Sequence, residues 1–245
     1  MQTTVKFENL LQAGAHFGFS KSRRHPSAKP FIFGIKNRVE IFDLEKTAEC
    51  LLKAEDFLKK IAENKGVILF VGSKNEASKI IREMAERVNM PYVNGRWIGG
   101  TLTNFPEIKR RVERMESLIS QKEKGELAKY TKKERLLIDR EIETLQKMFG
   151  GLRSLKGLPK ALFIVDPKKE AIAVAEAIKK SVPVAALAGS DCDLNLLDRP
   201  IPANDSSVSS IRFFVEQIAK AIAEGQKTTD NQPASLPGRP LATNR

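Results

Sequence analysis

Residues 67–89, VILFVGSKNEASKIIREMAERVN, decide the fold class. Val67 to Val71 is an unbroken apolar run of β-rich residues, the pattern of a short strand covered on both faces by helices. Gly72-Ser73 turns the chain into a helix, for which Ser73 is the expected cap with Glu76 three residues on. Strand, turn, helix is the unit of an α/β protein, and the remaining chain repeats it.

Toward the C-terminus the expected elements are a short strand at Tyr92 to Asn94, a strand at Ala161 to Val165 and a helix from Pro167 to Lys180. A strand at Val182 to Ala188, a short strand around Ile201 and a helix from Ser206 to Glu224 follow. Toward the N-terminus, Asp43 opens a helix in which Leu44, Ala48, Leu51, Leu52, Leu58 and Ile61 recur at helical spacing, and Gly66 stops it. Before it, FIFGIKNRVEIFD (Phe31 to Asp43) reads as a small β-hairpin whose apolar arms flank Gly34 to Arg38. Alternating strands and helices imply a mainly parallel, doubly wound sheet with right-handed crossovers.

The rhythm breaks between Asn104 and Gly157, where no strand candidate occurs. Ile108, Val112, Met115, Leu118 and Ile119 form one apolar stripe, and Leu136, Leu137, Ile142, Leu145 and Met148 form another, joined by the polar link KEKGELAKYTKKE. Two such helices pack as an antiparallel hairpin, in effect a short coiled coil, ended at Gly150-Gly151 by a left-handed glycine cap. The expected organisation is residues 1–104 as the first part of the α/β domain, 105–157 as the hairpin insertion, 158–225 as the second part, and 226–245 as a disordered tail rich in polar residues and Pro.

The chain of 245 residues is 41% hydrophobic and 29% charged, an ordinary composition for a soluble globular protein. Its formal charge of +12 calls for a polyanionic partner, of which nucleic acid is the leading class. No apolar run is long enough to span a bilayer and none resembles a secretory signal, so a cytoplasmic location without a membrane partner is expected. The two cysteines, Cys50 and Cys192, lack metal or redox spacing and read as free thiols.

The positive charge is clustered. Lys21, Arg23, Arg24, Lys29, Lys36 and Arg38 crowd the N-terminal segment, where a proline-bearing basic loop suits phosphate contact and His25 suits base stacking or a phosphate. Lys109, Arg110, Arg111 and Arg114 form a second group on the first hairpin helix, although interleaved glutamates also make the pattern of a salt-bridged exposed helix. In PYVNGRWIGGTLTNFP (Pro91 to Pro106), Gly99-Gly100 marks the hand-over from sheet to helix. Arg96 and Trp97 there offer a guanidinium contact and a stacking surface, with a packing anchor as the plainer reading of Trp97.

Gly72-Ser73, Asp166-Pro167, Gly189-Ser190 and Asn204-Asp205 lie just past strands, at the edge where open α/β sheets bind ligands. A sugar-phosphate or nucleotide enzyme is therefore the competing class. GSKNEA is neither GxGxxG nor a P-loop, however, and helix capping explains these residues more simply, with Pro167 suited to a first helical position. HExxH, GxSxG and adjacent Cys-His pairs are all missing, so no catalytic residue, cofactor or metal is expected. The remaining metal option is His16 with Asp191, Asp193 or Asp205.

Taken together, AGAHFG (Ala13 to Gly18), KPFIFG (Lys29 to Gly34), DLEKT (Asp43 to Thr47), ILFVGSK (Ile68 to Lys74), NGRWIGGTLTNF (Asn94 to Phe105), GGLRSLKGLPKALFIVDP (Gly150 to Pro167) and IPANDSSVSSIR (Ile201 to Arg212) resemble the S-two family of small-subunit ribosomal proteins in its bacterial form. The resemblance runs in order from about Leu10 to Glu224. It implies a flavodoxin-like, three-layer α/β/α domain with a helical hairpin insertion. It also implies binding to small-subunit RNA, with Lys74 joining the contact residues, and to neighbouring ribosomal proteins, among them the mRNA-binding protein S-one, with no catalytic site and no small-molecule substrate. The chain departs from the family pattern at Phe19 and SKSRRHP, which weights that segment toward phosphate contact, and at Gly189 to Leu194, where relatives commonly read DTNxDP.

Overall fold

The structure, a computed structural model, describes residues 7–230. In chain order the elements are α1 (Phe7–Gln12), β1 (Phe17–Ser20), β2 (Ile32–Lys36), β3 (Val39–Phe42), α2 (Leu44–Glu63), β4 (Ile68–Val71), α3 (Asn75–Arg87), β5 (Tyr92–Val93), α4 (Phe105–Glu123), α5 (Lys132–Phe149), β6 (Ala161–Val165), α6 (Ala171–Lys179), β7 (Val184–Ala188), β8 (Arg199–Pro202) and α7 (Val208–Asp230). The five strands β5-β4-β6-β7-β8 form a wholly parallel sheet. Counted in chain order this is 2-1-3-4-5, the doubly wound order of flavodoxin-like sheets.

Each central strand is buried throughout, so its alternate residues feed two separate cores. Ile68, Phe70, Phe163 and Leu187 pack with α2, α3 and α7. Leu69, Val71, Leu162, Ile164 and Ala186 pack with α4, α5 and α6 on the other face. The edge-on contact between Phe70 and Phe163, whose ring centroids lie 5.6 Å apart, ties two neighbouring strands inside the first core. Full burial of each such ring contributes about 2 kcal/mol, which is why the short runs hold as strands.

The remaining three strands form a small antiparallel sheet, β1-β3-β2. The turn between β2 and β3 is Asn37-Arg38, both with positive φ (51° and 66°), so Gly34 lies inside a strand and not in the turn. A two-residue turn with both φ positive matches the twist of a hairpin. Asp43 caps α2 as expected, its carboxylate accepting from the N–H groups of Glu45 and Lys46.

Several boundary expectations are corrected. Ser73 does not cap α3, which begins at Asn75 after Lys74, because its hydroxyl is taken by Glu170. Pro167 is not the first residue of α6; Asp166 turns with φ 63° and the helix opens four residues after Pro167, at Ala171. Gly150 has φ −55° and is no left-handed cap; its neighbour Gly151 is glycine because a Cβ there would collide with the Tyr92 carbonyl. Residues 226–230 continue α7 where a tail was expected, and residues 231–245 lie outside the described residues.

α4 and α5 pack through Ile108, Val112, Met115, Leu118, Ile142 and Leu145, with Arg114–Glu141 (3.2 Å) and Lys122–Asp139 (2.7 Å) as cross-links. Leu136 and Leu137, expected in this seam, are half exposed near the start of α5, and Phe149 is buried at its other end. No helix among the described residues is long and apolar enough to cross a membrane.

Candidate nucleic-acid interface

The carboxyl edge of the parallel sheet is where a small ligand would bind, and the chain fills it with its own side chains. Lys74 Nζ donates to Asp166 Oδ2 (3.2 Å), the Asp205 carbonyl (2.9 Å) and Ser206 Oγ (3.3 Å). Glu170, 3% exposed, accepts from the N–H (2.9 Å) and hydroxyl of Ser73, so a carboxylate already occupies the turn into α3 where a phosphate would dock. From above, Phe19 N–H donates to Ser190 Oγ (3.0 Å) and His25 N–H to the Ser190 carbonyl (2.9 Å), pinning the basic segment across the edge.

The electrostatics agree with a closed site. Burial and the neighbouring Asp166 push the Asp205 carboxyl up to about 6, and burial together with Asp205 pushes the Cys192 thiol up to about 12, leaving it protonated and inert at neutral pH. Among the described residues, the one set of three ligand-type side chains whose atoms lie within 4.8 Å of one another is Asp166, Cys192 and Asp205; His16 is not among them, and the Lys74 ammonium already faces the two carboxylates. His16 instead stacks against Phe17, and burial with the nearby Lys36 charge lowers its pKa. Both cysteines are free.

The cations divide into committed and available groups. Arg24 is bonded to Glu40 (2.8 Å), a carboxylate with no exposed surface, and removing its partner would strand a buried charge. Lys74 is committed in the edge cluster. Trp97 is 5% exposed, with its indole N–H donating to Glu176 (3.2 Å), so it is the packing anchor and its ring faces are covered. Arg23 is half exposed; it pairs with Asp191 (3.2 Å) and lies over the Phe19 ring. His25 bonds Ser27 and lies 3.6 Å from Asp193.

Lys21, Lys29, Lys36, Arg38 and Arg96 are exposed and form no ion pair among the described residues. Lys36 ends β2 and Arg38 lies in the turn at the tip of the β2–β3 hairpin. On α4, Lys109 pairs with Glu113, Arg110 and Arg111 with Glu107, and Arg114 with Glu141. These pairs are solvent-exposed and contribute little, so phosphate can replace the carboxylates, but three carboxylates against four cations leave a small local surplus of charge.

Glu176 was missing from the sequence reading. It lies on α6 and accepts from the N–H groups of Gly100 (2.7 Å), Leu102 (2.9 Å) and Thr103 (3.0 Å) as well as from Trp97. It thereby fixes the loop that presents Arg96 and in which Gly100 takes φ 95°. Burial alone would raise its pKa, but these donors outweigh it and hold the carboxyl below the usual range. A lone carboxylate inside the apolar run AIAVAEAI (Ala171 to Ile178) was the signal.

Fold and edge together define a doubly wound α/β protein whose carboxyl edge is occupied in part by its own Lys74, Glu170 and Ser190, and which carries exposed cations without ion pairs among the described residues. Comparison with known proteins narrows this. Residues 10–225 match the family model described as ribosomal protein S2. The chain is 43% identical over 237 residues to "Small ribosomal subunit protein uS2" of Roseiflexus sp. (strain RS-1), covering 97% of this chain and 90% of that one. It is 41% identical over 228 residues to the proteins of the same name from a Nitratiruptor species and from Helicobacter hepaticus, covering 93% of this chain and 85% and 86% of theirs. The chain therefore belongs to the ribosomal protein S2 family. Members are structural ribosomal proteins of the small subunit, at work in translation, and are not enzymes.

Proposed function

We propose that the protein binds small-subunit ribosomal RNA in the cytoplasmic ribosome, with Lys21, Lys29, Lys36, Arg38 and Arg96 holding phosphates. Arg23 and His25 join them at the rim, where each is partly exposed. Arg24, Lys74 and Trp97 act indirectly, by fastening the surface that carries the others. The observation behind this reading is the set of exposed cations without carboxylate partners on the N-terminal segment and hairpin, in a chain of formal charge +12. The α4–α5 hairpin, as an inserted coiled-coil arm, extends the contact through Lys109, Arg110, Arg111 and Arg114 to RNA and to neighbouring ribosomal proteins. Recruitment of S-one belongs to the same reading. A sugar-phosphate or nucleotide enzyme has no support here, because Glu170, Lys74 and Ser190 occupy the positions its ligand needs.

The test is the salt dependence of binding to purified small-subunit rRNA. Reversing Lys36 and Arg38 to Glu removes two phosphate contacts and lowers the log-log slope by about 1.4 to 1.8. An unchanged slope excludes the hairpin tip from the interface.

A further inference from the structure

A groove of about 860 Å³ lies at β5, the edge strand of the parallel sheet, walled on one side by α3 and on the other by the end of α5 and the chain that leaves it. Its cations come from three separate segments: Arg82 on α3, Lys147 on α5 and Arg153 beyond α5. Glu86 is the one carboxylate of the lining, and it is already taken, accepting from Arg82 Nε (2.9 Å) and from the Tyr92 hydroxyl (2.8 Å). Arg153 pairs only with the exposed Glu116 of α4 (3.6 Å), and Lys147 is exposed and forms no ion pair among the described residues. Exposed pairs of this kind contribute little, so the groove presents a surplus of positive charge that a stronger anion can use.

The remaining lining narrows the kind of occupant. Asn89, Asn94 and Gln146 bring side-chain amides that make no hydrogen bond among the described residues, whereas Met90 and Tyr92 are the only large apolar side chains. Small-molecule sites are lined mainly by apolar groups, and the centre of a protein interface is apolar too, so this polar lining suits neither. Cations spaced along a groove with free amides between them match a nucleic acid strand, phosphates on the cations and base edges on the amides. Arg96, exposed and unpaired, follows Asn94 by two residues, so the groove adjoins a cation already proposed for phosphate. From this juxtaposition we infer that the groove at β5 is a second RNA-binding site, which takes an unpaired segment of small-subunit rRNA. It lies at the opposite edge of the parallel sheet from β8 and draws on none of the cations of the N-terminal segment. The inference rests on the RNA-binding reading above and adds to it a separate place of contact.

Binding of the full chain to purified small-subunit rRNA, measured across a salt series, tests it. Reversing Lys147 and Arg153 together to Glu lowers the log-log slope by about 1.4 to 1.8, the value for two phosphate contacts. Both side chains are exposed, so the melting temperature stays that of the wild type; the milder pair Lys147→Gln with Arg153→Gln gives the same fall in slope without introducing new charges. Gln146→Ala weakens binding roughly two- to tenfold, the range for one hydrogen bond, and leaves the slope unaltered because no phosphate contact is lost. The preference of the wild type for single-stranded over duplex RNA competitor narrows in the same variant.

An unchanged slope in both double variants overturns the assignment, as does undiminished binding by Gln146→Ala. Intact RNA affinity in a double variant that no longer stays in assembled small subunits also overturns it, and makes the groove a contact to a ribosomal protein. If reversal of Lys36 and Arg38 lowers the slope while these changes do not, the RNA-binding reading stands and the groove falls away from it. A wild-type chain that does not bind the rRNA at all overturns that reading and this one together.

Discussion

Arg38 illustrates how a single residue can be placed against local preference. It sits at φ 66° in a two-residue hairpin turn, a position at which glycine avoids the strain that other residues meet. Left-handed backbone costs a non-glycine residue roughly 1–2 kcal/mol, and glycine would give back part of that through the entropy of its unfolded state. Replacement of Arg38 by Gly is therefore expected to raise stability by about 0.5 kcal/mol in denaturant melts, and to weaken rRNA binding at the same time. A variant that is both more stable and equally tight would show that the guanidinium has no ligand. Arg24 presents the opposite case: its charge is as visible in the sequence as that of Arg38, yet it neutralises buried Glu40 within the fold. Residue type was legible from the sequence at every cation. Pairing was not, because the partners of Arg23 and Lys74 lie 168 and 92 or more residues away.

At the scale of elements, the strands and long helices followed directly from apolar periodicity, because an unbroken run such as Ile68 to Val71 or Ala161 to Val165 can be satisfied only between two helical layers. Helix starts at the carboxyl edge were less legible. Ser73 resembles a cap, but Glu170 reaches it from the β6–α6 connection, 97 residues on, and a cap rule confined to near neighbours in sequence cannot register that contact. The loop from Trp97 to Thr103 depends in the same way on α6 through Glu176. Glu176→Gln is expected to lower stability at pH 7 by about 1–3 kcal/mol, the range for hydrogen bonds to a charged acceptor. Because the folded carboxyl titrates below its unfolded value of about 4.5, its contribution is fully present above that pH and is lost as pH falls through the folded value. The gap between wild type and variant in thermal melts should therefore narrow on acidification below the ordinary carboxylate range. A gap that stays constant over that range would mean that the ionised carboxylate does not hold this loop.

On the scale of the whole molecule, a positive surplus and a closed crevice have a common consequence. The doubly wound sheet usually offers its carboxyl edge to a small ligand, but here Lys74, Glu170 and the 19–25 segment consume that edge, and the exposed charge faces outward from the small sheet and the hairpin. On the reading proposed above, a protein built this way binds a polyanion through its exposed cations. Membership of the ribosomal protein S2 family says which particle it belongs to; that the unpaired cations face RNA is the proposal that the following measurement tests. The most direct measurement is sedimentation of the purified full chain with small ribosomal subunits lacking it, on gradients at low and high salt. The account predicts that the wild type travels with the subunit at low salt and is released as salt rises, and that reversing Lys36 and Arg38 to Glu moves that release to lower salt. A chain that remains at the top of the gradient at low salt, or whose retention is indifferent to salt and to those two charges, would contradict it.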